Sequence, residues 1–198
     1  MYNPNYNGLY HAEVHANSGY TGKWQTRFYG FWFRLSESWE FTPNQSFNSA
    51  QFIANFPGTC DVWMPSTMIW LNGNQLWTRC MHGSLYPTSA QQTSSHQATG
   101  VTVTAGVLLK IVLQVRWESN NNGYIKVWYD GNKVVEELGK PATIAENGDF
   151  QFRVGLYANG WSNGNYAGNQ RFRQIWFDEI ALALSLRVRY TICRYYDP

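Results

Sequence analysis

LKIVLQVRWESNNNGYIKVWYDGNKVVEE, residues 109–137, decides the fold. Leu109, Ile111, Leu113, Val115 and Trp117 recur at every second position, with Lys110, Gln114 and Arg116 between them. A strand turns successive side chains to opposite faces, so this stretch is β with one apolar and one polar face. Ser119 to Gly123 is a turn into Tyr124–Tyr129, and Asp130-Gly131-Asn132 turns back into Lys133–Glu137. Asp-Gly supplies the positive φ angles of a tight hairpin, so the stretch predicts three antiparallel strands.

The same period of two extends outward through the chain. Gly8 to Asn17 places Tyr10, Ala12, Val14 and Ala16 on one face and His11, Glu13 and His15 on the other. Thr26–Leu35, Ser46–Phe56, Thr67–Leu71, Gln75–Cys80, Phe150–Tyr157 and Arg171–Ala181 read as further strands, with Asn72-Gly73-Asn74 as a hairpin turn. Leu85 to Val101 reads as a polar connection, and the segment after Ile180 leaves the strand pattern. No amphipathic helix is found. About ten strands joined by Gly, Asn and Pro turns predict an all-β two-sheet sandwich, a jelly roll of the concanavalin-A type with one functional, concave face. The chain divides into one domain over 1–181 and an atypical tail over 182–198.

Composition narrows the function. Aromatic residues form 17% of the 198 and charged residues only 14%, so the polar surface is built from amides and hydroxyls. Flat rings beside neutral hydrogen-bonding groups suit a carbohydrate surface. A net charge of +2 without a basic run argues against nucleic acid. No apolar stretch is long enough to cross a bilayer, and the opening MYNPNYNGLY does not read as a signal peptide. Asn44-Gln45-Ser46 is a glycosylation sequon, and Cys60, Cys80 and Cys193 allow a single bridge.

Candidate chemistry gathers on the polar faces. Phe152, Val154 and Leu156 point to the core, so Gln151, Arg153 and Tyr157 share the opposite face, with Gly155 leaving a gap for a ligand. Arg153 offers a fork of donors to a carboxylate. Tyr157 exchanges a proton if neighbouring cations lower its pKa from about 10. His11 and His15 flank Glu13, which fits a metal-ligand pair, a general base with an orienting acid, or a plain surface strand. Gln51 is an amide at mid-strand among apolar neighbours, and Arg79 shares a face with Gln75 and Trp77. Paired carboxylates at glycosidase spacing are missing, which weighs against a hydrolase.

RFYGFWFRLSESWEF, AQFIANF, DVWMPSTMIWLNGNQLWTR, GYIKVWYDGNKVVEE, FQFRVGLYANGW and RQIWFDEIA, in this order, resemble the fungal glucuronan lyases. These are secreted jelly-roll enzymes that cleave β-1,4-linked polyglucuronate. The resemblance runs from about Tyr2 to Ala181. FRVGLYANG also resembles the Tyr-bearing strand of jelly-roll alginate lyases, HAEVH falls where those carry Arg-x-Glu-x-Arg, and AQFI where they carry Gln-Ile-His. The resemblance implies β-elimination. Gln51, helped by Arg79 or Arg153, neutralises the uronate carboxylate; Tyr157 is the acid and a candidate base; His11 or His15 is the alternative base. The alginate-lyase histidine would fall at Ile53, so the proton inventory differs here. Gln151, Trp77 and Trp161 are expected to bind substrate. A structural Ca2+ is implied with Asp178 as a ligand, with no organic cofactor. An extracellular monomer acting on an acidic polysaccharide follows. The competing expectation is a non-catalytic carbohydrate-binding jelly roll using Trp161, Trp77 and Tyr157 as stacking platforms.

Overall fold

The computed structural model describes residues 1–3, 5–6, 8–15, 20–43, 45–55, 63–84, 92–161 and 166–185, with the backbone alone for 63–66. The strands are β1 (His11–His15), β2 (Thr21–Gly22), β3 (Thr26–Leu35), β4 (Ser46–Asn55), β5 (Trp63–Asn72), β6 (Gln75–Gly83), β7 (Gln92–Thr102), β8 (Leu108–Arg116), β9 (Tyr124–Tyr129), β10 (Asn132–Leu138), β11 (Asp149–Tyr157) and β12 (Ile175–Ala183). They form two antiparallel sheets. The seven-stranded sheet runs β1-β11-β4-β5-β6-β7, with β2 beside β11, and the five-stranded sheet runs β10-β9-β8-β3-β12.

Alternation along the strands produces the sandwich. On β8, Leu109, Ile111, Leu113 and Val115 are almost wholly buried between the sheets. Phe52 of β4 meets them as part of an aromatic cluster with Tyr29, Trp117 and Phe152, at ring separations of 4.5, 5.0 and 5.1 Å. Each buried ring contributes about 2–3 kcal/mol through removal of apolar surface from water. The polar atoms of this cluster are satisfied: Trp117 Nε1 donates to Tyr29 Oη and Tyr29 Oη donates to Thr21 Oγ1, both at 2.9 Å. Asp130 and Gly131 carry φ of 45° and 83°, as their hairpin requires.

Several boundaries differ from the sequence reading; β5, for one, begins at Trp63 rather than Thr67, and β6 runs on to Gly83. β7 lies within the stretch read as a polar connection, because an edge strand with only Thr99 buried shows no apolar alternation. Arg171–Gln174 precede β12 rather than belonging to it; Arg173 leaves the strand direction to bury its guanidinium against the rings of Trp39, Phe47 and Trp161, 5.5, 5.7 and 5.8 Å away. β12 continues to Ala183 across a bulge at Asp178–Ala181, where Glu179 takes a φ of 45°. Asn44, Cys60, Cys193 and residues 186–198 lie outside the described residues. Cys80 is a free buried thiol, its pKa pushed up to about 12 by burial.

Candidate active site

Strand register assembles the site on the outward face of the seven-stranded sheet. Cross-strand partners place His15, Arg153, Gln51, Met68, Arg79 and His96 in one row over β1, β11, β4, β5, β6 and β7. A second row holds His11, Tyr157, Asn48, Trp70, Trp77 and Ala98. At the usual spacing of strands each row is about 24 Å long. It runs across the strands, a direction in which a polysaccharide meets a new pair of side chains at every strand.

The chemistry concentrates at the β1 end. His11 stacks on Tyr157 with ring centroids 5.2 Å apart and 16° between planes. Between the rows lies Glu13, whose side chain is only 7% exposed. It faces Gly155 of β11, and a Cβ there would stand 2.9 Å from Glu13 Cγ. The gap at Gly155 is therefore filled by Glu13 rather than by a ligand. Through it Glu13 reaches Gln51, two strands away, and Oε1 accepts a hydrogen bond from Gln51 Nε2 at 2.5 Å. Oε2 stands 3.7 Å from His11 Nδ1 and 4.0 Å from Arg153 Nη1.

Donor and acceptor types separate the histidines. Arg153 Nε, which can only donate, bonds Gln151 Oε1 at 2.7 Å. This turns Gln151 Nε2 toward His15 Nδ1 and Tyr20 Oη, each at 2.8 Å. An amide nitrogen does not accept, so His15 Nδ1 is the acceptor and its proton resides on Nε2. His11 has the opposite arrangement, with Nδ1 toward the Glu13 carboxylate. At 3.7 Å this is not a hydrogen bond, but the negative charge favours a proton on Nδ1 over one on Nε2. Gln151 is thus spent on Arg153 and His15 and holds them in place, rather than reaching outward as expected.

Tyr157 departs from expectation too. Its pKa is raised, first by burial and then by the Glu13 charge, not lowered by cations. It is therefore a neutral phenol, fitted to give a proton rather than to take one. Arg79 is mostly buried beside His96, and both have pKa values lowered, chiefly by desolvation and for His96 also by the Arg79 charge. Trp77 lies beside Trp70 at 5.8 Å, which in turn meets His96 edge-on at 5.8 Å. Sequence reasoning passed over Trp70, Asn48 and His96; the odd spacing of Met68 and Trp70 from the buried Thr67 signals the first, while the last lies on the unrecognised β7.

Two expected residues are elsewhere. Trp161 is only 4% exposed and packs in the core, so it offers no platform to a sugar. Asp178 lies on β12 in the other sheet, where Oδ1 accepts the Glu179 amide at 2.8 Å. Among the described residues no group of three His, Cys, Asp or Glu side chains could hold a metal ion. Neither His11, Glu13 and His15 nor Asp178 with its described neighbours makes such a group.

A jelly roll whose outward sheet face joins an imidazole, a phenol, an amide and a guanidinium to a run of tryptophans is built as a carbohydrate-active domain. The chain belongs to the polysaccharide lyase family, which matches residues 1–181. It is similar to the endo-β-1,4-glucuronan lyase of the fungus Trichoderma reesei, at 48% identity over 91% of this chain and 77% of that one, with a TM-score of 0.85. Alginate lyases from a Chlorella virus and from Pseudomonas aeruginosa share the fold alone. They are 7% and 13% identical, each over 81% of this chain and over 71% and 65% of theirs, with TM-scores of 0.55 and 0.50. No curated protein sequence matches the chain. Among the described residues no helix is long and apolar enough to cross a membrane.

Proposed function

We propose that the protein cleaves β-1,4-glucuronan by β-elimination, with His11 as base and Tyr157 as acid. Elimination needs three things: a neutralised carboxylate at C5, a base for H5 and an acid for the departing O4. Gln51 and Arg153, neighbours in one row, supply amide and guanidinium donors to the carboxylate and stabilise the enolate-like intermediate. His11 Nε2 takes H5, the electron pair forms the C4–C5 double bond, and the C4–O4 bond breaks as Tyr157 protonates O4. In glucuronate, H5 and O4 leave from the same face of the ring. The observation that carries the reading is the His11–Tyr157 stack, which sets base and acid side by side for such a syn elimination. Guluronate, with H5 on the other face, is disfavoured. Trp70, Trp77 and Arg79 receive the chain farther along the face. Since the polymer is too large to enter a cell, the reaction belongs outside it.

The test is absorbance at about 235 nm, where the unsaturated product of general acid–base elimination absorbs. Polyglucuronate is compared with polymannuronate, polyguluronate and a neutral glucan. Absorbance rising on polyglucuronate is expected, and Tyr157→Phe should lower turnover by about 100-fold or more while substrate still binds. A folded protein that binds uronans but never raises the absorbance would instead be a binding module.

A further inference from the structure

We propose that Glu13 is a positioning residue of this site, its carboxylate passing over Gly155 to hold the Gln51 amide with its second N–H presented to substrate. The inference rests on the lyase reading. An amide left to itself turns either way, because its oxygen and nitrogen occupy equal space. Gln51 does not have that freedom. An ionised carboxylate accepts hydrogen bonds and donates none, so Glu13 selects the orientation in which Gln51 Nε2 points at it. One N–H is taken by Glu13, and the second remains for the carboxylate of the sugar. The reversed amide would aim its oxygen at that carboxylate and repel it.

The geometry is specific to this function rather than to packing. Glu13 bypasses its own partner strand and reaches the next one, which is possible only because position 155 carries no side chain. Its second oxygen lies 3.7 Å from His11 Nδ1 and 4.0 Å from Arg153 Nη1, so its charge also acts on both through space. The charged or titratable groups around it are His11 and His15 on β1 and Arg153 and Tyr157 on β11. β4 contributes only the neutral Gln51 and Asn48. Arg173, which adjoins the other side of β1, is engaged by Glu40.

Glu13→Gln preserves shape and removes the acceptor-only character. Assayed by the absorbance rise on polyglucuronate, it should lose about 10- to 100-fold in kcat, the worth of a hydrogen bond to a charged group, with a smaller change in KM and an unaltered melting temperature. Glu13→Asp keeps the charge but withdraws it from Gln51 and should be similarly slow; it serves if Glu13→Gln folds poorly. The decisive readout is coupling. Glu13→Gln added to Gln51→Ala should slow the enzyme far less than it does alone, because the amide it orients is gone. Turnover of Glu13→Gln within twofold of wild type, or fully multiplicative losses in the double variant, would overturn the proposal. A wild-type chain inert on every uronan would instead overturn the lyase reading, and this inference with it.

Discussion

Gly155→Ala tests the arrangement through a single methyl group. A Cβ at this position would lie 2.3 Å from Ala12 O, 2.5 Å from Glu13 Cα and 2.9 Å from Glu13 Cγ. Two of these atoms belong to backbone, so no rotamer change relieves the clash. β1 is an edge strand, paired on one side only, and must move away from β11. Overpacking of this kind costs about 1–3 kcal/mol, and the backbone contacts put this case at the upper end. For a chain of this size each kcal/mol lowers the melting temperature by roughly 2–4 °C, so a fall of about 6–12 °C is expected.

The effect on activity should be larger than the effect on stability. β1 carries His11 and Glu13, and displacement of a reacting group by about 1 Å costs on the order of 100-fold in rate. Thermal unfolding by circular dichroism and initial rates on polyglucuronate measure the two effects separately. Gly30→Ala is the control, because a Cβ there meets nothing nearer than 3.8 Å; it should change stability by less than about 0.5 kcal/mol. If Gly155→Ala melted and turned over like wild type, the account of β1, Glu13 and Gly155 would be wrong. If it melted early yet kept full turnover, His11 would not be the base.

Two further outcomes follow from burial and charge. Trp77→Ala should raise KM by about tenfold with kcat within a fewfold, since Trp77 lies in the Tyr157 row but three strands away from it; a collapse of kcat would place the chemistry elsewhere. Stability should fall in alkali, because Cys80 and Tyr29 have folded pKa values pushed up to about 12 by burial, from 9.0 and 10.0. Raised acid pKa values mean that this stability is fully present below pH 9.0 and is lost as pH climbs toward about 12. Melting temperatures across that range, with thiol labelling of Cys80, check it; labelling of the thiol at pH 8 as fast as in the unfolded chain would contradict the burial.

What could be read from the residues, and what could not, divides along the strand. Alternation within a strand is local, so the faces of β8 and β11 follow from their own side chains, and Arg153 and Tyr157 fall in the outward rows. β7 escapes because Thr93, Ser94, Ser95, His96 and Gln97 carry no apolar rhythm. Which strand lies beside which is not local. Residues 13, 155 and 51 become neighbours only through the order β1-β11-β4. The gap at Gly155 was legible, but its occupant was not. The direction of the Tyr157 shift was hidden for the same reason, since it comes from burial in the assembled sheet and then from the Glu13 charge on β1. Trp161 misleads because a ring in a Gly/Asn-rich loop looks exposed until Arg173, twelve residues on, is seen packed against it.

The missing histidine of β4 shows how register redistributes a chemical role. Ile53 occupies the position where the alginate-lyase pattern has its imidazole, and it pairs with Gln151. Gln151 in turn bonds His15, so an imidazole does stand near that place, supplied from the edge strand. Proximity alone would make His15 the base. Its Nδ1 is consumed by Gln151, however, and Gln151 cannot turn round because Arg153 holds its oxygen. His11, four residues earlier on the same face, meets a carboxylate instead of an amide. One strand thus presents two histidines in different settings, His15 bonded to an amide and His11 facing a carboxylate, and the proposed assignment of His11 as base rests on that difference rather than on the distance to Ile53.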